Sequence, residues 1–334
     1  MDTLTPFTQI ACLLCAHMPG QDVAPLSQTE FVSVQKWLAE RQLPLEALLE
    51  PNAVTLLQEM EADKRLAKLP GERLNALIQR GVSLALWLER WLNAGMWILS
   101  WEDDGYPGIL TQRLGEQAPV LLYGFGRMEL LNEHGLAIVG SRNVSDNLQD
   151  LTREIANGCA WEKWNVITGG ARGVDRAAMN GVLEEYGACV AVLPADLGRT
   201  AADSSLREYL LADKLCLVSP YHPESGFSVG NAMGRNKVIY CLSDCALVVA
   251  CEKQKGGTWA GAVENLKRGW VPLFVYLGEW APPDNEHLLA EGAFAFPTVD
   301  DQPLRETLLR VASQPASALS EESVSPDAQL TLPM

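Results

Sequence analysis

The spacing of apolar residues changes character near residue 95. Before it, apolar side chains recur at helical intervals. Phe31, Val34, Trp37 and Leu38 fall on one face of a predicted helix, and Leu84, Trp87, Leu88 and Trp91 on one face of another. Pro19-Gly20, Pro44, Pro51 and Pro70-Gly71 punctuate these stretches, as turns between short helices require. Residues 1–92 are therefore predicted to form a small helical domain.

After residue 95 the pattern becomes short apolar runs separated by amphipathic stretches. Trp97–Ser100 and Val120–Gly124 read as two short strands. Further runs follow at 136–139, 164–168, 189–193, 215–219, 246–250 and 271–276. Between them, residues 148–161, 177–186 and 259–267 alternate at helical period. Strands that are apolar on both faces and alternate with helices predict an α/β fold, a Rossmann-like parallel sheet with helices on both faces. This domain is assigned to residues 93–312. The remainder, 313–334, is rich in Ser, Pro and Ala and carries Glu321, Glu322 and Asp327 but no Lys or Arg. It is expected to be a disordered acidic tail.

Composition narrows the function. The 334 residues are 48% hydrophobic and 20% charged, which is ordinary for a chain with a buried core. Asp and Glu number 42 against 26 Lys and Arg, a net charge of -16, so a globally basic coat for nucleic acid is excluded. A local basic groove is not, because phosphate binding responds to local potential. No apolar run approaches the roughly 20 residues of a membrane helix. The short apolar stretch Ile10–Ala16 lacks a basic leader and reads as helix, not secretion signal. The eight cysteines are scattered or lie in apolar segments, as expected of reduced core residues in the cytoplasm. Cys12 and Cys15 form a C-x-x-C with no second pair at zinc spacing, so helix packing is the expected role.

Three glycine-bearing loops follow three predicted strands. They are Gly140-Ser141-Arg142, then Gly169-Gly170-Ala171-Arg172-Gly173-Val174-Asp175, and Gly256-Gly257-Thr258. In an open parallel sheet such loops converge at the carboxyl ends of the strands. Glycine admits close backbone approach, helix N-termini aim N–H groups at anions, and arginine holds phosphate oxygens in a fork. The set predicts an anionic ligand. A dinucleotide fits less well, since Gly140-Ser141-Arg142 stands where G-x-G-x-x-G would open the first helix. Gly234-Arg235-Asn236-Lys237 adds two charges. Residues 226–272 hold six basic and three acidic side chains, a net +3 that reverses the sign of the whole chain. Asp175 is expected to brace the loop after Arg172. Trp259 is the candidate for base stacking, whereas Phe227 and Tyr240 are expected to be buried.

These motifs, in this order, resemble the DNA-processing protein A family, known as DprA or Smf. The likeness lies in residues 136–142, in Gly170–Asp175, and in Gly234–Ile239 leading to Leu242-Ser243-Asp244. It continues in Gly257-Thr258 with Ala262, Leu266 and Gly269, and upstream in 97–100, Tyr106-Pro107 and Pro119–Gly124. The resemblance implies non-catalytic binding of single-stranded DNA, loading of the recombinase RecA, and a homodimer formed through the Rossmann domain. By position it makes Arg142, Arg172, Arg235 and Lys237 phosphate contacts. Gly140, Ser141, Gly170, Asn236, Gly257 and Thr258 would shape the pocket. No metal and no cofactor is implied.

Departures from the family pattern suggest a diverged member. The usual Pro-Arg-Arg-Asn run reads Met233-Gly234-Arg235-Asn236, the usual Ser-Gly-Ser reads Gly256-Gly257-Thr258, and residues after 300 leave no room for a winged-helix domain. A compact acidic relative also fits the toxin-neutralising partners of anti-phage defence, the Shos-type pairs. Two other classes stand as alternatives. One is a nucleotide-processing phosphoribohydrolase, in which Glu264 after Gly256-Gly257-Thr258 would be catalytic. The other is a regulatory module that binds a nucleotide or a protein. Ser141 has no evident His partner, which argues against a hydrolase triad.

Overall fold

The computed structural model describes residues 4–18, 22–51, 53–66, 69–297 and 302–313. The acidic tail predicted from residue 313 therefore lies outside the described residues, apart from Ser313 itself. Five helices come first: α1 (Pro6–Cys15), α2 (Gln28–Ala39), α3 (Ala53–Ala62), α4 (Gly71–Ile78) and α5 (Gly81–Asn93). Ser27 and Glu30 cap α2 reciprocally, each side chain serving the other's backbone N–H. Arg80, buried ahead of α5, donates from Nε to Leu13 O at 2.6 Å and from Nη2 to Ala16 O at 2.7 Å, closing the end of α1. Among the described residues no helix is long and apolar enough to cross a membrane.

Nine strands form one sheet: β1 (Trp97–Ser100), β2 (Leu121–Gly126), β3 (Gly135–Gly140), β4 (Asn165–Thr168), β5 (Cys189–Val192), β6 (Leu215–Ser219), β7 (Cys245–Ala250), β8 (Leu273–Val275) and β9 (Phe294–Ala295). Their order is β1-β2-β6-β5-β4-β3-β7-β8-β9. The pairs from β6 to β9 are parallel, as the apolar runs predict. The two upstream strands join differently: β1 and β2 form an antiparallel pair that extends the sheet beyond β6. The chain steps outward from β3 to β6, then returns to place β7 against β3. That return is the topological switch point, where open α/β sheets bind ligands.

The remaining helices are α6 (Gly108–Leu114), α7 (Asp146–Trp161), α8 (Val174–Glu184), α9 (Leu197–Ala201), α10 (Arg207–Leu211), α11 (Val229–Gly234), α12 (Asn236–Leu242), α13 (Gly256–Arg268), α14 (His287–Ala290) and α15 (Leu304–Ser313). Strand alternation divides the core in two. Leu136 and Ile138 point to the face covered by α7 and α8, and α1, α2 and α5 pack on that same face through Leu14, Phe31 and Trp91. Ala137 and Val139 point to the other, covered by α6, α12 and α13. The N-terminal helices thus share a core with the sheet. Thr8 Oγ1 and Ser100 N both donate to Asp103 Oδ2 at 2.6 Å, pinning α1 to the end of β1.

Candidate nucleic-acid interface

The first two glycine loops interlock at the switch point. The register of β3 against β7 shifts between Val139 and Gly140, and Ser141 N donates to Ala250 O at 2.9 Å. Val174 N then donates to Ser141 O at 3.3 Å. Gly173 must be glycine here. Its φ is +76°, and a Cβ would run into the carbonyl of Ser141. A Cβ on Gly140 would sit 2.5 Å from Val174 Cγ2.

Asp175, in the first turn of α8, braces both loops as its position suggests. Oδ1 accepts from Gly140 N at 3.3 Å and Oδ2 from Ala171 N at 3.4 Å. Burial raises the pKa of this carboxyl, opposed by Arg235, the two N–H groups and Arg142. The third loop is anchored from below by Asn285, which is fully buried. It accepts from Cys251 N at 2.9 Å and donates to Val249 O at 2.8 Å and Tyr276 O at 2.7 Å. Sequence reasoning missed Asn285, because a lone Asn after Pro282-Pro283-Asp284 reads only as a turn. Gly256 (φ +76°) opens α13, and Thr258 lies half-buried in its first turn.

The basic side chains do not all reach this edge. Arg142 and Arg172 are exposed, and neither has a carboxylate partner among the described residues. The guanidinium carbon of Arg142 lies 5.0 Å from the centroid of the Phe227 ring. Arg235 is only 4% exposed. Its Nη1 donates to Val192 O at 2.8 Å, its guanidinium lies against Gly169, and burial lowers its pKa. The expected direct phosphate contact at Arg235 is therefore corrected: this arginine supports the second loop from beneath. Asn236 Nδ2 donates to Gly257 O at 3.0 Å, tying α12 to the third loop. Lys237 is half-buried and donates from Nζ to Gln117 O at 2.8 Å. Successive helical residues point about 100° apart, so three adjacent motif residues serve three different neighbours.

The aromatic expectations also change. Trp259 is 8% exposed and packs in the core with Tyr240, so it presents no free face to a base. Phe227, expected inside, is 52% exposed beside Arg142. Phe227 follows Gly226 in a loop ahead of α11, where no helical or strand period places it in a core. Glu264 lies exposed on α13 with no hydrogen-bond partner among the described residues, which gives no support to a catalytic carboxylate.

The family model of DNA recombination-mediator protein A matches residues 97–302. The DNA processing protein DprA of Streptococcus pneumoniae is 30% identical over 196 residues, covering 57% of this chain and 67% of that protein. Protein Smf of Synechocystis is 28% identical over 199 residues, 58% of this chain, and the match spans only 48% of Smf. Among solved structures, DNA processing protein A from S. pneumoniae superposes with a TM-score of 0.66 at 20% identity, covering 88% of this chain and 95% of that one. DNA processing protein A from Helicobacter pylori, described for its single-stranded DNA binding mode, superposes at 0.52 with 22% identity, covering 65% and 95%. The structural likeness supports the fold, and the family model spans the sheet and all three glycine loops: the chain belongs to the DNA recombination-mediator protein A family.

Proposed function

We propose that the switch-point edge binds single-stranded DNA without catalysis, in the manner of a recombination mediator. The observation that carries this reading is the pair of exposed, unpartnered arginines, Arg142 and Arg172, on two interlocked glycine loops, with an exposed aromatic ring beside Arg142. In a chain of net charge -16, arginines left without carboxylates at a sheet edge favour a polyanion. The N–H groups of Gly140, Ser141 and Ala171 are spent on Ala250 O and Asp175, so further donors come from the start of α13, and Phe227 offers a base a stacking face. Phosphate and base-face contacts of this kind carry little sequence preference. Family membership supports a mediator rather than an enzyme. RecA as a partner and a homodimer enter the proposal from the family alone.

The test is fluorescence anisotropy with a labelled oligothymidylate across a salt series. Wild type binds, and log K falls by about 0.7 per phosphate neutralised for each unit of log salt. Arg142→Ala and Arg172→Ala each flatten that slope. Absence of binding at low salt, or an unchanged slope in the double variant, overturns the reading.

A further inference from the structure

A groove of about 920 Å³ lies at the margin of the sheet where β2 meets β6, on the face that α7, α8 and α15 also cover. Its walls come from the end of α5, from α9 and α10, and from Phe125-Gly126. Trp91, Met96, Phe125, Leu210 and Leu211 give it an apolar lining, and Leu211 is 76% exposed. An open apolar cleft of this kind marks a docking surface. Arg90, Arg199 and Arg207 rim it together with Asp196, Asp203 and Glu224. Arg90 pairs with Glu224 at 3.2 Å, and Asp203 Oδ1 accepts from Ser205 N and Oγ. The side chains of Arg199 and Arg207 have no hydrogen bond or ion pair among the described residues, and neither has Asp196. Two free cations against one free carboxylate favour an occupant that is apolar and acidic.

The chain itself carries such a segment. Residues 314–334 follow α15 and hold Glu321, Glu322 and Asp327 with no Lys or Arg. Leu330, Leu332 and Met334 then alternate with Gln329, Thr331 and Pro333. In extended backbone that alternation puts three apolar side chains on one face, close behind the carboxylate of Asp327. The reach suffices. Glu162, which caps the end of α7, accepts from Leu304 N and Arg305 N, and Arg305 lies 3.8 Å from Asp244, just ahead of β7. From β7 to β6 is four strand spacings, about 19 Å. The ten residues of α15 add at most about 15 Å. The roughly 16 residues from Ser313 to Gln329 span up to about 50 Å. Tethering of this length holds the segment at about millimolar effective concentration, so an affinity of about 100 μM fills the groove about ten to one.

We propose that residues 327–334 dock in this groove of their own chain. Leu330, Leu332 and Met334 lie on the apolar lining and cover Leu211, and Asp327 faces Arg199 and Arg207.

Amide hydrogen exchange on the full chain, read by mass spectrometry, tests the contact. In wild type the amides of Leu330, Thr331 and Leu332 are expected to exchange about tenfold slower than in a free peptide of the same sequence. Leu211→Asp, at an exposed position and checked for native circular dichroism, should return them to the free rate. Arg199→Ala with Arg207→Ala should lower the protection about twofold to fivefold, as exposed ion pairs do. A fluorescent peptide of residues 319–334 gives a second readout. It should bind the full-length Leu330→Asp/Leu332→Asp variant, whose own segment no longer competes, about tenfold tighter than wild type. Exchange at the free rate in wild type overturns the proposal, as does protection that survives Leu211→Asp. Protection that fades on dilution also overturns it, and assigns the groove to the segment of a second copy.

Discussion

The most diagnostic contact in the second loop is that between Gly169 and Arg235. Gly169 has no left-handed backbone requirement, unlike Gly170 (φ +65°) and Gly173 (φ +76°). Alanine is therefore acceptable to the backbone at 169, and by itself adds about 0.4–1 kcal/mol of stability through the unfolded chain. The obstacle is steric. The three atoms nearest an added Cβ all belong to the Arg235 guanidinium, which it would overlap. A flexible side chain normally swings aside at little cost, but this one is 4% exposed and bonded to Val192 O. Displacing it forfeits a charged hydrogen bond of about 1.5–3 kcal/mol and forces repacking of about 1–3 kcal/mol. Gly169→Ala should therefore cost about 1.5–5.5 kcal/mol net. In an Arg235→Ala background the methyl has room, and the same change should be neutral or slightly stabilising. Urea unfolding of the four proteins reads a coupling of about 2.5–6 kcal/mol. Equal costs of Gly169→Ala in both backgrounds, within about 0.5 kcal/mol, would refute the placement of Arg235 beneath the loop.

Phe227→Ala should weaken oligothymidylate by about 1–3 kcal/mol in anisotropy without lowering the melting temperature, since its ring is exposed. Trp259→Ala should do the reverse, costing about 3–5 kcal/mol of stability in denaturant titrations. Asn285→Ala leaves Cys251 N, Val249 O and Tyr276 O without their partner. A loss of about 3 kcal/mol or more in the same titrations is expected, with faster amide exchange at Cys251. His222 titrates at about 4 in the folded chain, against 6.5 for an ordinary histidine, because burial and the neighbouring His17 disfavour its cation. The unfolded chain then binds the extra proton between those values, so stability present above pH 6.5 is lost as pH falls towards 4. The loss attributable to this ring, roughly 2–3 kcal/mol, should be missing in His222→Leu when thermal midpoints of the two proteins are compared across that range.

The sheet was legible because period decides it. Runs such as Leu136–Val139 and Cys245–Ala250 are apolar at every position, which only a strand buried on both faces explains. The same uniformity hides direction. Trp97–Ser100 and Leu121–Gly126 are strands by period, yet nothing in their residues tells that they pair antiparallel at the margin of a parallel sheet. The site divides similarly. The glycine loops were legible because positions such as Gly173 are fixed by backbone geometry, a local property. The partition of Arg142, Arg235 and Lys237 was not, because it depends on which side of the α11–α12 junction faces which loop, a matter of tertiary packing. Charge counted along residues 226–272 therefore overstates the potential at the switch point. Of its six cations, Arg235 is consumed beneath Gly169 and Lys237 is bonded to Gln117 O. At the first two glycine loops the free cations are Arg142 and Arg172, both outside that segment; beside the third, Lys255 pairs with Glu252 and Lys253 lies against His287.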